Sequence, residues 1–375
     1  MHLVNLKNYI ETLESGSRPK GGATNSGIPS LGGEHINSNG GFNIEEKKLK
    51  YVPNEYYNLL KKGIIKKNDI LIVKDGATTG KVAYVDENFI LNKACINEHI
   101  FLLRTNEKLY SKYLFYFLYS NRGQQEILKD FRGATVGGIS KKFININFHL
   151  PSLKDQNKIV EILDISKELI VKRKTQIEAL DELVKSRFIE MFGDPITNSK
   201  GWEVKLLGEV CDMKAGKNIK ACDISEVNSE ELYPCYGGNG LRGYVKQYSH
   251  EGNIPLIGRQ GALCGNVKYA QGKFYATEHA VVTQPKVEMN TYWLYYLLNE
   301  LDLNRFSTGA AQPGLTVGKL NLVEIPIAPF DMQNEFEKLV NQVDKLKFEM
   351  EKSLKELEDN FNSLMQKAFN GELFQ

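Results

Sequence analysis

Two Glu-His pairs, Glu98-His99 and Glu278-His279, are the residues of this sequence best suited to moving protons or holding a metal ion. A metal would want a third and fourth ligand at a definable spacing, and none is near either pair. No serine or cysteine stands where such a histidine could activate it as a nucleophile. The expectation is that both histidines are buried and satisfied by hydrogen bonds. A second candidate, Gly76-Ala77-Thr78-Thr79-Gly80-Lys81, imitates a phosphate-binding loop. The nucleotide-binding form needs four residues between its glycines and then Lys-Ser/Thr; here three separate them and Val82 follows. Its counterpart, Gly261-Ala262-Leu263-Cys264-Gly265-Asn266, has no lysine. Two readings stay open. One is a tight turn between strands. The other is a glycine loop bringing Lys74, Thr78, Thr79 and Lys81 near a phosphate, with Arg259 and Gln260 doing likewise later in the chain. Arg to guanine and Gln to adenine are the usual major-groove pairings.

Other engines are missing. The sequence has no Asn-Pro-Pro-Tyr or glycine-rich methyl-donor loop, and no clustered acid-plus-lysine nuclease centre. The five cysteines (Cys95, Cys211, Cys222, Cys235, Cys264) are odd in number and never spaced as C-x-x-C, so they form neither a disulfide framework nor a zinc site. The chain is expected to be no enzyme and to bind no metal or cofactor of its own. Isolated thiols, a start that lacks a signal peptide and the absence of any long apolar run predict a cytoplasmic protein with no membrane partner. With 42% hydrophobic and 25% charged residues, 375 residues suffice for two or more cored domains. The formal net charge is only +2. Its distribution says more: the stretches 156–192 and 331–372 hold 13 of the 48 basic and 17 of the 46 acidic residues, leaving 35 against 29 elsewhere. That is a mild basic bias outside those stretches.

The elements that position these residues are duplicated. Val4-Asn5-Leu6 and Leu13-Glu14-Ser15-Gly16 recur as Val204-Lys205-Leu206 and Met213-Lys214-Ala215-Gly216, shifted by 200. The glycine loops share G-A-x-x-G-x-V, and the Glu-His pairs follow in order. Aromatic-rich helices are predicted over Tyr113 to Tyr119 and Tyr292 to Leu298. Then Gly133-Ala134 and Gly138-Ile139-Ser140 match Gly309-Ala310 and Gly314-Leu315-Thr316, and Gln156-Asn157 matches Gln333-Asn334. Each half reads as a mixed domain of short strands, turns and a few helices, followed by one long helix. The boundaries fall at 1–155, 156–192, 193–330 and 331–375. Pro151 and Asp155 precede the first helix and Pro329 and Asp331 the second; Gly193-Asp194-Pro195 and Asn370-Gly371 end them. Leu163, Ile170, Ile177, Val184 and Met191 fall at strict sevens, as do Phe336, Val343, Met350, Leu357 and Leu364, with Leu354 and Phe361 in a neighbouring stripe. Such sustained heptads predict a coiled coil. Copies of one helix pair most easily with each other, giving pseudo-twofold symmetry, and each is ~55 Å long. The fold class is therefore α+β, with two pseudo-symmetric domains whose long helices form an antiparallel coiled coil.

The segments Gly27 to Ile36 and Tyr233 to Tyr244 occupy roughly equivalent places but differ in sequence. Loops on a rigid scaffold are where recognition sits, so one scaffold with different loops implies two different targets. On these residues the chain resembles the specificity subunits of type I restriction-modification systems. Ala179 to Pro195, running into Gly201-Trp202-Glu203-Val204-Lys205-Leu206, is similar to the family's central conserved region. Gln366-Lys367-Ala368-Phe369-Asn370-Gly371-Glu372-Leu373 is similar to its distal conserved region. The Gly-Ile-Pro-Ser-Leu and Tyr-Gly-Gly-Asn-Gly segments resemble a common flavour of its recognition domains. The resemblance implies that each half is a target-recognition domain reading one half of a bipartite, asymmetric site on double-stranded DNA. It implies that the helix pair sets the spacer and docks two methyltransferase subunits, which use S-adenosylmethionine to methylate adenine, and that motor-nuclease subunits cut unmethylated DNA. Half-sites would be centred about one helical turn, ~34–36 Å, apart. The candidate DNA contacts are Arg18, Lys20, Lys74, Thr78, Thr79, Lys81, Arg132, Lys141 and Lys142 in the first half. In the second they are Lys217, Lys220, Arg242, Arg259, Gln260 and Lys319. A coiled-coil scaffold whose domains bind proteins is the alternative reading.

Overall fold

The computed structural model describes residues 2–133, 137–261, 263–308 and 314–373. Of the repeat positions named above, Ala134, Ala262, Gly309 and Ala310 lie outside the described residues. The chain divides into two compact units: one made of Met1–Lys174 and Lys352–Gln375, the other of Thr175–Glu351. The division cuts both long helices, so each unit holds the start of one helix and the end of the other.

The first unit has a four-stranded antiparallel sheet in the order Ile10–Ser15, Ile100–Thr105, Ile70–Val73, Val82–Tyr84. Ile70–Val73 is buried on both faces, as an unbroken Ile-Leu-Ile-Val run dictates. In a smaller sheet, Ile28–Leu31 pairs antiparallel with Tyr51–Val52 and parallel with Cys95–Ile96. A two-stranded ribbon joins His2–Asn5 to Asn147–Leu150, returning the chain to its start just before the long helix. The second unit repeats this plan. Its four-stranded sheet runs Cys211–Ala215, Ala280–Pro285, Ile254–Gly258, Val267–Ala270. In its smaller sheet Tyr233–Gly237 pairs antiparallel with Gly240–Val245 and parallel with Lys273–Ala276. The ribbon there is Glu203–Leu206 with Glu324–Ile327.

The first long helix spans Leu153–Phe192 and the second Phe330–Asn370. Asp155 and Asp331 therefore lie within the first turn rather than ahead of it, where a carboxylate suits the helix dipole. Ser152 is the reason for the earlier start, since its Oγ accepts from the Asp155 amide at 3.3 Å. Both helices stop at a left-handed glycine, Gly193 (φ 79°) and Gly371 (φ 82°), as the sequence predicts. The duplicated glutamines lock each helix start to its domain. Gln156 donates to the Pro151 and Lys108 carbonyls at 3.0 and 3.2 Å and accepts from the Tyr110 amide at 2.7 Å. Gln333 donates to Ala328 O and accepts from the Asn290 amide, both at 2.8 Å.

Within the second unit the helices run antiparallel: Asp181 meets Lys347 at 2.6 Å, and Phe188 meets Phe336 at 5.4 Å between ring centroids. Within the first, Lys174 pairs with Glu358 at 2.8 Å. Of the predicted seam, Leu163, Ile170, Val184 and Phe336 are buried, while Ile177, Met191, Val343, Met350, Leu357 and Leu364 are half-buried. The deeper burial belongs to residues that face the sheet domains. Ile159, Val160, Phe361, Met365 and Phe369 join the core built around helix Ser111–Tyr119. Phe188, Phe192, Phe336 and Val340 join the core around helix Thr291–Glu300. Arg122 further secures the first unit by donating to the Phe369 carbonyl at 2.9 Å, at the carbonyl end of the second helix. No described helix is long and apolar enough to cross a membrane.

Phe336 is fully buried and also meets Phe192 at 5.5 Å and Tyr296 at 5.2 Å. Phe336→Ala is expected to destabilise the second unit by about 3–5 kcal/mol, read by urea unfolding of the full chain. A loss below about 1 kcal/mol would mean that the helix merely rests on the domain.

Candidate nucleic-acid interface

The two glycine loops are the hairpin turns between the third and fourth strands of the larger sheets. Gly76 (φ 98°) and Gly80 (φ 90°) are both left-handed, as are Gly261 (φ 85°) and Gly265 (φ 89°), which explains why the spacing is held in both copies. Gly80 N donates to Val73 O at 2.9 Å and Lys81 N to Thr78 O at 3.1 Å. Gly265 N donates to Gly258 O at 2.7 Å and Asn266 N to Leu263 O at 3.1 Å. The geometry is that of a tight turn in each case.

Three further segments meet this turn in both units. The Lys74 amide donates to His99 O at 2.8 Å, and the Arg259 amide to His279 O at 3.0 Å, so each Glu-His pair sits at the foot of the turn. Arg132 and Gly138 bond each other and Asp75 bridges to Gly138; likewise Thr308 and Gly314 bond each other and Gln260 bridges to Gly314. The third segment is Gly32-Gly33, just after strand Ile28–Leu31, matched by Gly237-Gly238 at the end of strand Tyr233–Gly237. A Cβ on Gly258 would lie 1.9 Å from the Gly238 carbonyl oxygen, and one on Gly33 would lie 3.0 Å from Val73. This Gly-Gly pair is the signal that aligns the recognition loops, and sequence comparison of the loops alone passes over it.

One backbone corner thus carries different side chains in the two units. In the first it is closed by a chain of charges. Arg18 pairs with Glu98 at 2.9 Å, Glu98 approaches His99 Nε2 at 3.3 Å, and His99 Nδ1 bonds Asp75. Asp75 lies 3.3 Å from the Lys74 ammonium, which also donates to Glu98 O at 3.0 Å. Thr79 Oγ1 donates within its own turn, to Gly76 O at 2.7 Å. In the second unit Arg259 stands for Lys74 and Gln260 for Asp75, and neither side chain has a partner among the described residues. Glu278 approaches His279 Nε2 at 3.2 Å, while His279 Nδ1 is buried without a partner among the described residues.

The expectation of buried histidines is corrected. His99 and His279 are each 42% exposed at the side chain, because both lie on the turn that leads into a sheet strand. The buried histidine among the described residues is His35, whose Nδ1 accepts from the Gly32 amide at 2.9 Å while its Nε2 has no partner among them. Among the described residues no cluster of three His, Cys, Asp or Glu could hold a metal. Burial pushes the Cys211 thiol up to about 12, which leaves it protonated and inert.

Of the predicted contacts, Arg18, Lys74, Thr78, Thr79, Lys81 and Arg132 gather at the first corner; Arg132 is 74% exposed. Arg259 and Gln260 form the second corner. Lys319 joins it through a 2.9 Å bond to Thr308, and Arg242 lies beside Gly237. Lys217 bonds the Ala276 carbonyl at 2.9 Å through its backbone, and no hydrogen bond or ion pair among the described residues ties its side chain to the corner. Lys20, Lys142 and Lys220 are exposed, and no hydrogen bond or ion pair among the described residues ties their side chains to a corner. Lys141 bonds Leu13 O at 3.1 Å instead. Gly258→Ala is expected to displace the Gly237-Gly238 segment and to cost about 1–3 kcal/mol, measured as a fall in Tm with faster amide exchange over residues 236–240. Unchanged exchange there would show the approach to be slack.

The sequence model of the family described as "Type I restriction modification DNA specificity domain" matches this chain twice, over residues 20–179 and 199–359. The specificity subunit of the type I restriction enzyme EcoprrI of Escherichia coli is 37% identical over 248 residues, covering 63% of this chain and 61% of that protein. The type I restriction-modification S subunit from M. genitalium has a similar fold, with a TM-score of 0.59 at 20% identity, covering 98% of this chain and 96% of that one. A structure described under complex assembly and conformational transition of the type I R-M system gives a TM-score of 0.64 at 18% identity, covering 99% and 98%. With the family's domain matched in both halves, the chain belongs to the type I restriction modification DNA specificity family.

Proposed function

We propose that this chain is the specificity subunit of a type I restriction-modification system, reading a bipartite, asymmetric site on double-stranded DNA. The observation that carries this is the duplicated corner: one backbone geometry presents Lys74 and Asp75 in the first unit and Arg259 and Gln260 in the second. Each unit reads one half-site, and because the side chains differ the half-sites differ. Exposed lysines and arginines of the loops hold phosphates, while Arg259 and Gln260 suit guanine and adenine edges. The chain supplies no catalytic group. Two methyltransferase subunits, using their own S-adenosylmethionine, methylate adenine at the sites it selects, and motor-nuclease subunits cut the unmethylated ones.

The test is co-expression with the methyltransferase subunit and genome-wide mapping of methylated adenine. Replacing Arg259 and Gln260 together by alanine is expected to keep the first half-site and relax the second, at about 1–3 kcal/mol for each base left unread. An unaltered second half-site retires that pair. A protein-binding scaffold is distinguished by filter binding to random duplex DNA. The reader binds at low salt and loses affinity steeply as salt rises, with a slope of about 0.9 per phosphate neutralised; a scaffold does not bind at all.

A further inference from the structure

The first unit contains a cavity of about 720 Å³, lined by none of the residues of the corner described above. It lies between the loop at Gly40-Gly41, the segment after strand Val82–Tyr84, helix Ser111–Tyr119 and the first long helix. Its walls are largely aromatic: Phe42 meets Phe89 at 4.8 Å between ring centroids, and Tyr84 meets Phe115 at 5.6 Å. Of the carboxylates that also line it, Glu168 pairs with Lys172 at 2.6 Å and Asp86 accepts from the Asn88 amide at 2.9 Å. The volume lies in the range of small-molecule sites, and the cleft is open to solvent on one side.

Two lysines enter it, and they are not equivalent. Lys112 is neutralised by Asp164 at 2.7 Å, and the other Asp164 oxygen accepts from the Tyr116 hydroxyl at 2.6 Å. Both Asp164 oxygens are thus engaged and neither forms an ion pair with Lys167, one helical turn further on, although the charges of Asp164 and Asp86 still favour its protonated form. The Lys167 ammonium stands 5.4 Å over the Phe115 ring and 5.7 Å over Tyr119, half-buried, with no ion-pair or hydrogen-bond partner among the described residues. Ring faces attract a cation but do not replace the hydrogen bonds that water gave it. Burial, and then the neighbouring Lys112 charge, pull its pKa below the ordinary lysine value. An ammonium so placed is completed by an anion.

The equivalent place in the second unit carries the opposite charge. On the register of the two glutamines, Asp344 occupies the place of Lys167 and accepts from the Tyr292 hydroxyl at 2.6 Å. Tyr292 itself stands in the place of Lys112, since Tyr110 and Asn290 give their amides to the two glutamines. The duplicated fold thus has a charge in one copy that pseudo-symmetric recognition does not require.

We infer that this cavity binds a small organic anion with an aromatic body, its rings against the Phe42, Phe89 and Phe115 wall and its anionic group on Lys167 Nζ. The inference stands independently of the DNA-reading role. It is tested on the full chain with two dyes, 8-anilinonaphthalene-1-sulfonate and N-phenyl-1-naphthylamine, which share a ring system and differ in the sulfonate. Lys167→Met keeps an apolar chain over Phe115 and removes the charge. It is expected to weaken the sulfonate about tenfold and the neutral dye less than about twofold, with Tm held. Lys167→Arg should keep the sulfonate within about threefold. In the wild type, the sulfonate should protect Lys167 from trinitrobenzenesulfonate, located by mass spectrometry, so the site is tested even if a variant folds poorly. Equal sulfonate affinity in wild type and Lys167→Met, or absence of protection, overturns the site.

Discussion

Phe188 and Phe336 meet in the core of the second unit, one from each long helix, and Phe192, Trp293 and Tyr296 close around them. In the first unit Phe369 packs on Tyr113 and Phe117, and Phe361 on Tyr116. These ring packings are the constraint on which the architecture depends. The sheet of each unit covers one side of an aromatic helix, Ser111–Tyr119 or Thr291–Glu300, whose other side would face water without the long helices. Exposing rings of this size forfeits on the order of 2–3 kcal/mol each, so neither domain has a reason to stand without its helix pair. The helices are consequently structural members of the cores and not mere connectors. Gln156 and Gln333 fix where each begins to run, by satisfying backbone groups on both sides of the junction.

Rigid support beneath the duplicated corner is what lets its side chains differ. In the second unit the turn glycines, the Gly-Gly pair and the bridged loop set the backbone through their own hydrogen bonds and close approach, without using the side chains of Arg259 and Gln260. The first corner shows the other possibility: Asp75 draws Lys74 and His99 into a closed ionic chain with Glu98 and Arg18, so its positive charges are largely answered from within. The same frame can hold a neutralised tip or an open one, depending on one acidic residue.

The duplication was legible because it is written in residues with few substitutes. Only glycine adopts the left-handed angles of Gly76, Gly80, Gly261 and Gly265 without strain, and the paired glutamines satisfy buried backbone groups. The heptads were legible because helical periodicity is local. What escaped was non-local. The Asp75–His99 and Arg18–Glu98 pairs join residues 24 and 80 positions apart. A histidine shared by both copies is therefore misread as core when it is a half-exposed member of a charge cluster. Phe188, Phe192, Phe361 and Phe369 lie off or beside the strict sevens, since they answer to a domain and not to the partner helix. Lys167 looks like any solvated helix lysine until the Lys112–Asp164 pair shows its natural counter-charge to be taken.

The division of the chain into Met1–Lys174 with Lys352–Gln375, and Thr175–Glu351 by itself, has a consequence during synthesis. Residues emerge from the ribosome in order, yet the unit that is begun earlier needs Phe361 and Phe369, which follow the whole of the other unit. The unit begun later is complete in one uninterrupted stretch. Nascent chains should therefore mature out of sequence, the later-born domain closing while the earlier one waits, its aromatic helix open to chaperones until residues 352–375 have been read.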